Sequence, residues 1–169
     1  MKNMNLFNSS KHLQNTMDEA LPENTVAGNS EKARGEASGP NKKHLLIAED
    51  IEINQVIAEH MLKKMGYTVD IANNGQEAIE MLNSNDYHAV LMDIQMPVLD
   101  GLAATKKIRS IEKFKDLPII ALSSHARSED REKSLEHGMN DHLTKPIDSN
   151  ILAAALNRWL TPRPAEHFI

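Results

Sequence analysis

Between Lys43 and Trp159 the apolar residues switch repeatedly between two spacings. "HLLIA" (His44 to Ala48) is a short continuous apolar run and predicts a buried strand. Ile53, Val56, Ile57, Met61 and Met65 then recur at helical spacing, which predicts a helix ended by Gly66. "TVDIA" (Thr68 to Ala72) alternates like a strand, and Asn74-Gly75 turns into a helix carrying Ala78, Ile79 and Leu82. "AVLM" (Ala89 to Met92) predicts a third strand, followed by Asp100-Gly101 and a helix with Leu102, Thr105 and Ile108. Pro118 opens "IIAL" (Ile119 to Leu122), and Ser128 starts a mostly polar helix ended by Gly138. "DHLT" (Asp141 to Thr144) is a short fifth strand. Asp148 caps a last helix with Ile151, Leu152, Ala155, Leu156 and Trp159 on one face, stopped at Thr161-Pro162.

Continuous apolar strands alternating with helices imply a parallel sheet covered on both faces. With right-handed crossovers, the expected fold is α/β: a doubly wound five-stranded parallel sheet, (βα)5, in flavodoxin-like order 2-1-3-4-5. Such a sheet places its site beyond the carboxyl ends of the strands, where the order reverses between the first and third.

Residues 1–42 break the pattern. "GNSEKARGEASGPNKK" (Gly28 to Lys43) has too few apolar residues to offset its ordering entropy and reads as a flexible extension. Leu13, Met17 and Leu21 recur at helical spacing within it, which reads as a short docking helix or as a fraying one. The division expected is thus an extension over 1–42, one domain over 43–161, and a tail over 162–169.

Charge and composition narrow the class. The net charge of −5 falls wholly on residues 43–169, since the extension carries five basic and five acidic residues. That argues against a direct nucleic-acid binder, which would show a basic excess. No cysteine is present, so disulfides, thiol nucleophiles and cysteine-bound metals are excluded. No apolar run reaches the ~18 residues of a membrane span, and the apolar patch near the N-terminus is too short for a signal-peptide core. A cytoplasmic location is expected, without membrane contact.

The chemistry concentrates just past the strand ends. Glu49 and Asp50 come after the first, Asp93 after the third, Ser123 and Ser124 after the fourth, and Lys145-Pro146 after the fifth. Three carboxylates, a hydroxyl and an ammonium are therefore expected on one edge. Carboxylates so close repel one another unless cations intervene. Lys145 is one cation. The remaining hard-oxygen donors suit Mg²⁺, with Mn²⁺ as the other candidate. A site that joins Mg²⁺ to an ammonium looks built to hold a phosphoryl group.

Four stretches, "LLIAEDIEINQ", "VLMDIQMPVLDG", "IIALSSHA" and "DHLTKPID", occur in order, each at a predicted strand. Together they make residues 43–160 resemble the receiver domain of bacterial two-component response regulators, and most closely the receivers of hybrid sensor kinases. The resemblance implies that Asp93 accepts a phosphoryl group from phosphohistidine on a histidine kinase or histidine phosphotransfer protein. It implies that Glu49, Asp50, Asp93 and the backbone carbonyl of Gln95 hold Mg²⁺, and that Lys145 binds a phosphoryl oxygen. It also implies that Ser123 bonds the phosphoryl group and moves on activation, that Lys145-Pro146 is cis, and that the domain is a switch for protein partners rather than a turnover enzyme.

The chain departs from the family pattern at a few positions. Ser123 stands where Thr is common, and Ser124 where Ala is frequent. His142 stands where the family's switch residue is usually Tyr or Phe. It reads as a titratable replacement for that ring or as a half-buried strand residue. His125 is expected beside the site mouth, and Trp159 as core packing or a partner anchor. The polar helix from Ser128, anchored only by Leu135, is expected to be mobile and to change on phosphorylation together with the rest of 128–160, the surface for a downstream partner.

Two other classes fit parts of the sequence. A metal-dependent phosphohydrolase on a similar sheet usually carries a second Asp two residues after the nucleophile, where this chain has Gln95. An interaction module with a dead site typically loses the Asp or the Lys, and both are present. With about nine residues after the last helix, no output domain is expected there. A stand-alone regulator, a relay intermediate and the receiver end of a hybrid kinase all fit.

Overall fold

The computed structural model describes residues 42–162; the periodic segment around Leu13 to Leu21 and the tail past Pro162 lie outside the described residues. Among the described residues the order is β1 (His44–Ala48), α1 (Glu52–Lys64), β2 (Thr68–Ala72), α2 (Gly75–Ser84), β3 (Ala89–Asp93), α3 (Gly101–Arg109), β4 (Ile119–Ser123), α4 (Ser128–Glu136), β5 (Asp141–Thr144) and α5 (Ser149–Leu160). The strands form one sheet in the order β2-β1-β3-β4-β5, and every pairing is parallel. This is the expected doubly wound architecture. One short 3-10 turn, Glu112–Phe114, was not legible in the sequence; it buries Phe114.

The strands read as continuous apolar runs because each face of the sheet is covered. Leu46, Ala48, Val90, Met92, Ile119 and Ala121 face α2 and α3, packing with Ala78, Leu82, Ala104 and Ile108. Leu45, Ile47, Leu91, Ile120, Leu122 and Leu143 face α1 and α5, packing with Ala58, Leu62, Leu152 and Leu156. Each fully buried Leu or Ile contributes roughly 1.5–3 kcal/mol, so the two cores dominate the stability. The ends of the domain are joined where the Lys43 ammonium donates to the carbonyl of Leu160.

Helix starts reflect local chemistry. Asn74 accepts from the Glu77 amide, Asp100 from that of Ala103, and Asp148 from those of Asn150 and Ile151. Helices α1 and α4 have no side-chain cap.

Several expectations are corrected. The face of α1 turned to the core carries Ala58 and Leu62, with Met61 and Met65 at its margin, whereas Ile53, Val56 and Ile57 are 63%, 52% and 43% exposed. Periodicity places the helix but not its rotation: the inward stripe carries Ala58 and Leu62. Ile151 of α5 is also exposed. In α4 the buried residue is Ser134, while Leu135 is 37% exposed. In the β3–α3 loop Val98 adopts a positive φ (67°). Gly101 is required for a different reason: a Cβ there would run into the carbonyl of Asp93.

Candidate functional site

Strands β3 and β4 each run one residue further than their apolar runs, so Asp93 and Ser123 are the last residues of the strands themselves. Their backbones are held by ladder bonds, and Asp93 lies opposite Leu122 in the register. The Ile94 amide donates to the Leu122 carbonyl at 3.0 Å and the Lys145 amide to the Ser123 carbonyl at 2.8 Å. The loops after β3 and β5 are thus fixed to β4.

Lys145 joins the edge together. Its ammonium donates to Glu49 Oε2 at 2.6 Å and to Asp93 Oδ2 at 2.7 Å. The cis peptide between Lys145 and Pro146, as expected, lies directly after this residue. Glu49 Oε1 accepts from the Ile51 amide at 3.1 Å and the Asn54 side chain at 3.2 Å. Asp93 Oδ1 accepts from the Gln95 amide at 3.1 Å. Glu49, Asp93 and Ser123 are all buried, and Asp50 is exposed. Asp50 and Gln95 line a cleft of about 530 Å³ with Ile94, Met96, Pro97, Asp100 and Leu102.

Burial, helped by the neighbouring Glu49 carboxylate, pushes the Asp93 carboxyl above its ordinary value, against the opposing pull of Lys145. Burial also presses Lys145 downward, but hydrogen bonds to and charges on Asp93 and Glu49 prevail and hold its ammonium above the usual value. The Asp93 carboxylate thus faces one ammonium that only partly offsets its burial and its acidic neighbour. Carboxylate oxygens of Glu49, Asp50 and Asp93 lie within 4.8 Å of one another. This all-oxygen cluster, with a single ammonium against three carboxylates, suits a hard divalent cation.

The structure brings together Glu49, Asp50, Asp93, the Gln95 backbone and Lys145. Ser123 stands at the end of the strand next to Asp93, where its Oγ accepts from the His125 amide at 3.0 Å. His142 is not turned toward the carboxylates. Its ring bonds Ser134 of α4 at 3.0 Å and faces the His125 carbonyl at 3.5 Å. Trp159 packs against the α1/α5 core and donates to Asp141 at 3.2 Å, so it reads as packing rather than as an anchor. Sequence reasoning missed Asn54 and Gln55. Gln55 donates to the Glu49 carbonyl at 2.6 Å and to Asn73 at 3.0 Å, holding the β1–α1 loop. Their signal was the end of the "LLIAEDIEINQ" stretch, one turn after the acid pair.

Comparison with known proteins agrees with this geometry. The model of the response regulator receiver domain family matches residues 45–157. Histidine kinase 5 of Arabidopsis thaliana is 37% identical over 156 residues, covering 77% of this chain and 17% of that protein. Hybrid signal transduction histidine kinase I of Dictyostelium discoideum is 38% identical over 144 residues, 79% of this chain and 8% of that protein. The chain thus spans less than a fifth of either relative. Among solved structures, the receiver domain of sensor histidine kinase PA1611 from Pseudomonas aeruginosa is 41% identical with a TM-score of 0.67, over 71% of this chain and 98% of that one; it holds a magnesium ion in its active-site cleft. The receiver of the Saccharomyces cerevisiae response regulator Ssk1, crystallised with the histidine phosphotransfer protein Ypd1, is 36% identical with a TM-score of 0.66, over 70% of this chain and 89% of that one.

The chain belongs to the response regulator receiver family. Its described part is a phosphorelay receiver domain, a signalling domain rather than a turnover enzyme.

Proposed function

We propose that Asp93 is the phosphoacceptor, taking its phosphoryl group from a phosphohistidine on a histidine kinase or histidine phosphotransfer protein. The observation that carries the reading is the geometry of its carboxylate: buried at the end of β3, with Oδ2 on Lys145 and Oδ1 on the Gln95 amide. A carboxylate oxygen attacks phosphorus, a P–O bond forms, and the bond from phosphorus to the imidazole nitrogen breaks. The departing imidazole takes up a proton.

Each neighbour has a part in this reading. Lys145 shifts part of its contact from Asp93 to a phosphoryl oxygen, acting as a point charge. Ser123 donates its hydroxyl to the phosphoryl group and moves toward it. Glu49, Asp50 and Asp93, with the Gln95 carbonyl, would hold Mg²⁺ or Mn²⁺, which when bound supplies positive charge against the phosphoryl oxygens. The folded unit is taken as 43–161, with 1–42 an extension and 162–169 a tail. A cytoplasmic setting goes with a phosphohistidine donor.

The donor's approach has support on the surface. Ile51, Ile53, Val56 and Ile57 lie directly after Asp50 and expose apolar side chains with no partner among the described residues that would explain them. We read this as the face that seats the donor, in line with the Ssk1 receiver's pairing with Ypd1. The onward signal is read over 128–160.

Intact mass after incubation with acetyl phosphate and Mg²⁺ tests the reading. One phosphoryl adduct is expected, and none in Asp93→Ala. No adduct with any donor would favour an interaction module, and sustained phosphate release over many turnovers a hydrolase.

A further inference from the structure

The two carboxylates that follow β1 are set in different ways. Asp50 is exposed. Glu49 is buried and engaged at every polar atom it has. Its amide donates to the Ala72 carbonyl at 3.0 Å, and its own carbonyl accepts from the Gln55 side chain at 2.6 Å. Oε1 accepts from the Ile51 amide at 3.1 Å and from Asn54 Nδ2 at 3.2 Å. Oε2 accepts from Lys145 at 2.6 Å.

A polar side chain at a helix start ordinarily serves that helix's own free amides. Here the roles are reversed. The start of α1 at Ile51 has no side-chain cap within the helix. Glu49, outside the helix, takes the Ile51 amide, and Asn54, in the first turn, spends its side-chain amide on Glu49. Asn is a poorer helix former than Ala, so α1 itself gains nothing from it. What the bond does is fix the plane of a carboxylate. With Oε1 held by two donors, Oε2 is left turned to Lys145, whose ammonium also reaches Asp93 Oδ2 at 2.7 Å. Gln55 holds the backbone below. It bonds Asn73 at 3.0 Å, and Asn73 donates to Glu77 of α2 at 2.8 and 3.0 Å.

We propose that Asn54 is a positioning residue for Glu49: by holding Oε1 it directs Oε2 into the edge and presets the place of the divalent cation among Glu49, Asp50 and Asp93. Asn54 touches no reacting atom and acts only through Glu49. The site then has one fixed carboxylate, Glu49, beside an exposed one, Asp50, that adjusts to the ion. Groups that hold a metal's ligands in place are worth about ten- to a hundredfold in metal affinity. The effect on the cation rests on the reading of the three carboxylates as its site; the hold of Asn54 on Glu49 does not.

Mn²⁺ binding to the full chain, followed by water proton relaxation without any phosphodonor, tests the effect on the cation. Asn54→Ala should weaken Mn²⁺ binding about tenfold. Asn54→Leu keeps the side chain's size and lacks its donor, so it should weaken binding equally. Wild-type affinity in Asn54→Leu would assign the effect to volume and overturn the proposal. In a Glu49→Ala background, Asn54→Ala should change the affinity by less than about twofold, because its only route to the ion is gone. An equal loss in both backgrounds would mean a general loosening of the edge and would overturn the positioning role. A second readout needs no metal. Residue-resolved exchange of the Ile51 amide, which shares Oε1 with Asn54, should speed up about fivefold in both Asn54 variants. Unchanged exchange would overturn the hold on Glu49. Wild-type protein that binds no Mn²⁺ would overturn the cation reading, while the Ile51 amide still decides the hold. Intact mass of wild type with acetyl phosphate and Mg²⁺, run in parallel, separates both from the role of Asp93.

Discussion

Helices α3 and α4 are nine residues each and flank β4, yet they are held by different physics. Helix α3 is capped by Asp100, buries Gly101, Ala104, Thr105 and Ile108, and is tied down at its end by Arg109. That guanidinium donates to the carbonyls of Gly138, Phe114 and Leu117 and to the side chain of Asn140, at 2.6–2.9 Å. Helix α4 has no cap, no apolar residue in a core and one buried hydroxyl. Apolar burial is non-directional and hard to release in part, whereas a single hydrogen bond is made or broken by a small rotation. One helix is thus fixed by its core and its cap, and the other is held more loosely.

The comparison breaks most severely at Gly101. A Cβ there collides with the Asp93 carbonyl, so Gly101→Ala should destabilise by on the order of 4 kcal/mol in urea unfolding and abolish the phosphoryl adduct. A stable, phosphorylatable variant would mean that α3 is not fixed against β3. A side-chain contrast comes next. Ile108→Ala should cost about 3 kcal/mol, and Leu135→Ala on α4 about 0.5 kcal/mol, because Ile108 is fully buried and Leu135 is not. Equal losses would erase the distinction.

Exchanging caps sharpens the contrast on a smaller scale. Asp100→Ala should lower stability by about 1 kcal/mol. Placing a cap on α4 with Arg127→Ser should slow exchange of its first-turn amides while barely moving the global midpoint, since α4 opens locally before the domain unfolds.

The last prediction concerns charge, which acts on the fixed side. The folded state holds the Lys145 proton more tightly than the unfolded chain. That stabilisation is complete below the ordinary lysine value of 10.5 and is lost as pH rises through the higher native one. Asp93 also binds its proton more tightly when folded, so its ionised form is a liability above its native value. Asp93→Asn should therefore raise the melting temperature at neutral pH, and thermal scans across pH measure both effects. A lower melting temperature in Asp93→Asn would show that the Lys145 contact outweighs burial.

Some of this was open to inspection in the sequence and some was not. The strand order comes from continuous apolar strands and right-handed crossovers, and so does the edge on which Glu49, Asp50, Asp93, Ser123 and Lys145 meet. The cap at Asp148 is local, made within three residues, and was equally readable; that at Asp100 is just as local but was read only as a turn. The facing of α1 was not. Ile53, Val56 and Ile57 keep helical spacing, but which stripe turns inward depends on how the helix settles on the sheet, which periodicity does not contain. The partner of His142 was also hidden, because Ser134 lies in a polar helix whose pattern points to no buried position.

The sequence by itself therefore determined the fold, the edge on which the carboxylates and Lys145 meet and the residue types found there, because periodicity and chain connectivity are properties of neighbours along the chain. Only the tertiary structure decided that Lys145 bridges Glu49 and Asp93, that α1 shows its isoleucines to solvent, and that Ser134 of α4 bonds His142. Those are contacts between elements, and their geometry is set by the distance and rotation at which helices settle on the sheet.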